Sequence, residues 1–335
     1  MRLRAITLIR DENDIIDLFL RHLDALFDEV ILLDHQSVDG TTELLQQAVT
    51  QRPTWQYFRV DIKQKMQQQL MNYFIEKFSA DIFDYLFFLD CDEFLWVKDR
   101  KALETLLSQN QNEVGVYGFE WVNGIPKRLL SKKPIGKNTS LFISSEVSRY
   151  QKVAINWKQI NTKDLFISEG NHSAHRMDGK VYQNNIIGRI LHVPIRSKTQ
   201  LISKAILSKC SMVMEANRNP SSSYQYSRFL EKIANDKLND DDLFRFIYYY
   251  QVGDDPIPEG WENAFLKQCT TARFQKLSIA QSRELKLRMP KVTASIEKKV
   301  ANALLNGSVI DPGKSTILLE DETICLISGS PELID

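Results

Sequence analysis

The first 90 residues restrict the fold more than any other part of the chain, because short apolar runs alternate there with stretches of helical period. Leu3–Ile9 reads as a strand. Ile16, Phe19, Leu20, Leu23, Leu26 and Phe27 then recur at helical spacing and make one apolar stripe over Asp14–Phe27. Val30–Leu33 is continuous rather than alternating, as expected of a strand covered on both faces. Thr41–Gln51 reads as a helix with Asp39 or Thr41 as its cap, Trp55–Val60 as a strand, Gln64–Phe78 as a helix and Asp84–Leu89 as a strand. This β-α-β-α-β-α-β order with short connections predicts an α/β fold whose parallel sheet is sandwiched by helices.

In such sheets ligands sit at the carboxyl ends of the strands. Three of those ends carry polar clusters: Arg10-Asp11-Glu12, Asp34 and Asp90-Cys91-Asp92. Far apart in sequence, they are expected along one edge. A strand places side chains i and i+2 on the same side. Asp90 and Asp92 are therefore expected to present two carboxylates, half of a site for Mg²⁺ or Mn²⁺. Cys91 between them should point into the core.

The remainder of the chain is less regular. Val114–Trp121, Ser140–Ser144 and Ile186–Val193 look like strands, and Asn123–Asn138 like a long loop with basic residues Lys127, Arg128, Lys132, Lys133 and Lys137. That loop is read as solvated, with closure over a sugar diphosphate or contact with anionic lipid left open. Lys198–Glu215, Tyr224–Asp236, Asp241–Gln251 and Trp261–Thr271 read as helices, with a break at Asp254–Glu259. Ser315–Leu319 and Thr323–Ile327 suggest a terminal hairpin.

Lys plus Arg and Asp plus Glu each number 43, so the chain is formally neutral. Neutrality argues against nucleic-acid binding through bulk charge. Cys91, Cys210, Cys269 and Cys325 are too widely spaced for a zinc or redox pair and too few for a disulfide scaffold. No leader-like apolar segment opens the sequence, and no apolar run is long enough to span a bilayer. The expectation is a soluble cytoplasmic protein, with peripheral contact at the cytoplasmic membrane face left open.

Four segments together resemble a known family. Ile9-Arg10-Asp11-Glu12-Asn13 looks like the first-strand motif of family 2-like glycosyltransferases with the GT-A fold. Asp34-His35-Gln36-Ser37-Val38-Asp39-Gly40-Thr41 resembles their second-strand segment. Asp90-Cys91-Asp92-Glu93-Phe94 resembles the D-x-D-E-F motif of the branch related to family 92, and His192-Val193-Pro194-Ile195-Arg196-Ser197 a downstream H-x-P-x-R-S element. The resemblance covers roughly residues 1–205 and implies a GT-A-like domain there, with a mostly helical C-terminal region over 206–335.

The resemblance also implies roles. Arg10 and Glu12 would border the nucleotide pocket. Asp34 would contact the base or ribose, and Asp39 would fix the loop beside it. Asn72 would lie on the helix before the acidic motif, facing the donor. Asp92 would be the main metal ligand, with Asp90 touching the ribose or a metal-bound water. His192 is the candidate third ligand. Glu93 would brace the loop or line the acceptor side. Glu169 and His172 are candidates for the base that an inverting transfer needs to deprotonate the acceptor hydroxyl, with Glu120 as a rival. Each has a plainer counterpart. Asp39-Gly40 is a favoured turn pair, Asp34 can cap a helix, His192 can be a structural core histidine, Asn72 an ordinary polar helix residue and Glu169–His175 a polar loop.

The implied function is transfer of a sugar from a nucleotide sugar, most simply a UDP-sugar, to a glycan or lipid-linked glycan, with Mn²⁺ or Mg²⁺. One alternative is a nucleotidyltransferase on a similar sheet, which the glycine-free segment Arg10–Asp14 disfavours. Another is a non-catalytic carbohydrate-binding protein, which the intact acids disfavour.

Overall fold

The computed structural model describes residues 1–61, 66–111, 114–127, 135–213, 230–235, 237–252 and 259–288, and three short strands beyond. Its N-terminal half is the expected α/β unit: β1 (Leu3–Ile9), α1 (Ile16–Leu26), β2 (Glu29–Asp34), α2 (Thr41–Gln51), β3 (Trp55–Arg59), α3 (Gln67–Lys77) and β4 (Tyr85–Phe88). These four strands pair in parallel, in the order β3-β2-β1-β4.

Side-chain alternation divides the strands between two cores. Leu3, Ala5, Val30, Leu32, Tyr85 and Phe87 face α1 and α2. Ile6, Ile31, Leu33, Leu86 and Phe88 face Leu70, Met71 and Phe74 of α3. Both faces are dry, which is why β2 and β4 read as unbroken apolar runs. Gly40 opens α2 at φ 95°, a backbone angle that glycine tolerates and Cβ-bearing residues rarely adopt.

Beyond β4 the sheet becomes mixed. The next elements are β5 (Glu93–Leu95), α4 (Arg100–Gln109), β6 (Val116–Pro126), β7 (Ser140–Ile143), β8 (Gln151–Asn156), the small pair β9 (Phe166–Ile167) and β10 (Ala174–His175), and β11 (Asn185–His192). β8 lies antiparallel between β4 and β6, while β11 runs parallel to β6 and antiparallel to β5. Asn123–Pro126, expected in a loop, continue β6, because Gly124–Pro126 pair with Leu141–Ile143 of β7. The basic residues from Arg128 to Lys133 lie outside the described residues.

The C-terminal half supplies α5 (Lys198–Val213), α6 (Leu230–Ala234), α7 (Asp240–Gln251) and α8 (Trp261–Gln268). They bury Leu201, Ala205, Leu243, Phe246, Ile247 and Phe265 with Ile125 and Ile195 in a third core. α5 runs through residue 205. The expected helix over Trp261–Thr271 ends at Gln268, because Thr270–Arg273 form β12 on the edge of β7; β-branched threonines suit that strand. The expected break at 254–259 lies almost wholly outside the described residues. Near the end, β13 (Ile310–Asp311), β14 (Thr316–Leu318) and β15 (Thr323–Cys325) form an antiparallel ribbon that includes the expected hairpin. Among the described residues no helix is long and apolar enough to cross a membrane.

His22 ties this C-terminal chain to the first helix. It is fully buried in α1, its Nδ1–H donates to the Ala280 carbonyl (2.8 Å), and its Nε2 accepts from the Leu95 N–H (2.9 Å). Burial lowers its pKa to about 4, so the bridge is a neutral ring. The unfolded chain takes a proton near pH 6.5 that the folded chain refuses. The contribution is full above that pH and lost as pH falls toward 4, about 3 kcal/mol in all. Urea melts of wild type and His22→Gln at pH 7.5 and 4.5 should therefore show the steeper acid loss in wild type. Equal losses in both proteins would refute this assignment.

Candidate active site

The ends of β1, β2 and β4 converge as the sequence suggested, but their acids have different tasks. Asp34 is almost fully buried. It accepts from Ser37 N (3.0 Å), the Thr42 hydroxyl (2.5 Å) and the Tyr57 hydroxyl (2.9 Å), so its carboxylate shapes the β2–α2 loop. Asp39 accepts from Asn13 N (2.9 Å) and from the N–H (3.0 Å) and hydroxyl (2.6 Å) of Thr41, clasping the β1–α1 loop to the start of α2. Asp11 lies in the left-handed region at φ 53° and accepts from Val38 N (2.7 Å). Burial and the nearby Asp39 push its carboxyl up to about 6. Arg10 Nε stands 3.8 Å from Asp11 Oδ2.

Asp90 and Asp92 do not point the same way. β4 stops at Phe88, and Glu93 N donates to Asp90 O (3.0 Å), so residues 90–93 form a turn rather than a strand extension. Strand alternation, the basis of the sequence expectation, does not apply across a turn. Asp90 accepts from Gln67 Nε2 (2.7 Å) and Lys152 Nζ (2.6 Å). Asp92 turns toward Lys204 Nζ (3.0 Å), Arg196 Nη1 (3.7 Å) and His192 Nε2 (3.9 Å). Cys91 is buried in the core, as expected.

The antiparallel register sets His192 of β11 opposite Glu93 of β5. One ligand atom each from Asp92, Glu93 and His192 lie within 4.8 Å of one another, all three residues being buried. Two carboxylates and one imidazole are a donor set suited to a divalent cation. Asp90 stands outside this trio. Burial drives the Asp92 carboxyl upward, but Lys204 and Arg196 outweigh it and hold the group well below the usual carboxylate range. Burial lowers the pKa of His192 to about 3, leaving a neutral imidazole. Glu93 accepts from Asp90 N (2.9 Å) and lies 3.2 Å from Lys152 Nζ, while burial raises its carboxyl well above its ordinary value.

Glu12 faces Arg196 and lies 3.7 Å from Lys204 Nζ. Arg196 also grips Asp14 through Nε and Nη2, both at 2.8 Å. The buried guanidinium thus joins the end of β1 to the segment leading into α5. Asn72 is committed to structure: its amide donates to Gln68 O (2.7 Å) and Ile167 O (3.0 Å) and accepts from Ile167 N (2.8 Å). Glu169 is exposed on a short turn. His172, half-buried beside it, donates from Nδ1 to Gln151 O (2.7 Å). Its ring meets Trp121 edge-on at 5.1 Å, and Trp121 stacks on His192 at 4.0 Å.

Lys152, Lys204, Asn123 and Gln251 carried no sequence signal for this site. Arg196 did, within the H-x-P-x-R-S element, though without a role. Tyr248 and Tyr249 are buried in helix packing, while half-buried Tyr250 lies 5.1 Å from His192.

Residues 6–165 match the family model "Glycosyl transferase family 2". The match spans β1 to β8 and the acidic turn between β4 and β5. This part of the chain matches a family 2 glycosyltransferase domain, and its mixed α/β sheet is the GT-A arrangement. None of the curated protein sequences matches the chain. Among solved structures, the mannosyltransferase PcManGT from Pyrobaculum calidifontis, in complex with GDP-Man and Mn²⁺, is 12% identical with a TM-score of 0.34, covering 79% of this chain and 73% of that one. TarS of S. aureus is 12% identical at 0.33, covering 69% of this chain, which spans only 43% of TarS. Glucosyl-3-phosphoglycerate synthase from Mycobacterium tuberculosis, with Mn²⁺, UDP and glucosyl-3-phosphoglycerate, is 11% identical at 0.31, covering 66% and 81%. Each is a distant structural likeness.

Proposed function

We propose that the protein transfers a sugar from a nucleotide-sugar donor, in the simplest case a UDP-sugar, to a hydroxyl of a glycan or lipid-linked acceptor, assisted by Mn²⁺ or Mg²⁺. The observation that carries this reading is the Asp92–Glu93–His192 trio within 4.8 Å, beside the strand ends that hold Asp11 and Asp34. Asp92 and His192 would hold the cation, with Glu93 as third ligand or brace. These residues would hold a divalent ion, which would supply charge neutralisation for a departing diphosphate. The Asp11, Asp34 and Asp39 loops would shape the nucleoside pocket, with Arg10 and Glu12 at its border and Asp90 near the ribose.

His172 is the better-supported base. Its Nδ1–H is engaged by a carbonyl, so Nε2 is the nitrogen with a lone pair able to take a proton. Glu169 is its rival on the same turn.

A ligand that binds only the folded state raises its apparent stability. In a thermal-shift panel, a UDP-sugar with Mn²⁺ should raise the Tm of wild type, and chelation should abolish the shift. If no nucleotide sugar shifts the Tm with either ion, the proposal fails.

A further inference from the structure

The stacking that holds the His192 ring does not specify which nitrogen carries the proton. Trp121 lies almost parallel to it at 4.0 Å and 17°, and Tyr250 meets it at 5.1 Å and 70°. These contacts fix the plane of the ring. A neutral imidazole in that plane can still hold its proton on either nitrogen, and only a lone pair on Nε2 can bind a cation beside Asp92.

A chain of buried amides resolves the ambiguity. Gln251 Nε2 is directed at two backbone carbonyls, Val147 O (3.0 Å) and Glu146 O (3.3 Å). Carbonyls only accept, so the Gln251 amide must present its nitrogen to them and its oxygen to the other side. That oxygen accepts from Asn123 Nδ2 (2.7 Å), which also reaches Tyr250 O (3.3 Å). Asn123 is therefore obliged to turn Oδ1 toward His192 Nδ1 (2.9 Å). An acceptor there requires Nδ1–H and leaves the lone pair on Nε2, which faces Asp92 Oδ1 at 3.9 Å. Asn123 is fully buried and Gln251 nearly so, so water does not compete for these bonds.

We propose that Asn123 on β6 and Gln251 at the end of α7 are positioning residues that lock His192 in its Nδ1–H tautomer, so that the helical C-terminal region sets the affinity of the divalent-cation site. The inference rests on the metal reading above for its consequence, but not for the tautomer itself. Outer partners of a metal-binding histidine typically change affinity by about 10–100-fold when removed. Gln251 meets Asn123 directly although the two are 128 residues apart in sequence.

The test uses the full chain labelled with ¹⁵N-histidine, with His192 assigned by substitution among the five histidines. In metal-free wild type, His192 should show a protonated Nδ1 and an unprotonated Nε2. Asn123→Leu and Gln251→Leu should each give a mixed or reversed tautomer and raise the Mn²⁺ dissociation constant, read by electron paramagnetic resonance, about 10–100-fold. Asn123→Asp keeps an acceptor for Nδ1–H and should retain the tautomer, while losing the donor to Gln251 Oε1. His22, bridged independently by Ala280 and Leu95, is the internal control and should not change in any variant that folds. An Nε2–H tautomer in wild type overturns the proposal, whatever the variants do. So does a folded Leu variant with unchanged tautomer and unchanged affinity. If wild type shows the expected tautomer but binds neither Mn²⁺ nor Mg²⁺, the metal reading falls and with it the proposed control of affinity, while the amide relay stands.

Discussion

Asp92→Asn should lower sugar transfer by roughly 10³-fold or more, the loss expected when several kcal/mol of charge stabilisation leave a transition state. Mn²⁺ binding should be lost with it. The variant must be asparagine rather than alanine, because Asp92 also answers Lys204 and Arg196 in a buried network. Removing one partner of such a network strands charge, at a cost of about 3 kcal/mol or more, whereas asparagine keeps an oxygen for Lys204. Activity and a thermal melt are measured on the same sample. Inactivity in a protein that melts near the wild-type temperature supports the metal role. Wild-type turnover and ion affinity in Asp92→Asn would remove it. Asp90→Asn is the informative companion. Asp90 binds Lys152 and Gln67 outside the trio, so its loss should leave Mn²⁺ affinity nearly unchanged.

Arg196→Met should lower stability by about 3–5 kcal/mol. The guanidinium is almost fully buried and forks to Glu12 and Asp14. Removing it leaves the Glu12 and Asp14 carboxylates near Asp92 with, among the described residues, Lys204 as the remaining cation paired to Glu12. Lysine is not an adequate replacement, because a single ammonium cannot reproduce the planar fork. Adding Glu12→Gln to Arg196→Met should recover part of the loss, and the double-mutant cycle should report coupling above about 1 kcal/mol. A loss below about 1 kcal/mol in urea unfolding of Arg196→Met would show that the network is not structural.

The parallel half of the fold was legible because β2 and β4 are buried on both faces and α1 on one, and those patterns survive in the sequence. β8 was not. It carries Lys152 at a position almost closed to solvent, and a lysine reads as a surface residue until Asp90 and Glu93 are seen on either side of it. β5 is three residues long, and β12 follows α8 with a single residue between them. Within the site, Asp92 and His192 were legible as motif residues. The expected partnership of Asp90 with Asp92 was not what formed, since it extended strand alternation across a turn. Lys204 reaches Asp92 from 112 residues away, a contact to which no local pattern points.

β12 also bears on how far the domain can be dissected. Thr270–Arg273 occupy the outer hydrogen-bonding edge of β7, and Ala280 holds α1 through His22. A fragment ending near residue 205 would present β7 with its backbone donors and acceptors unmet, a template for strand addition by a second fragment. Such a fragment should self-associate rather than behave as a small independent enzyme. The tail is in this sense a chaperoning edge that travels with the catalytic half.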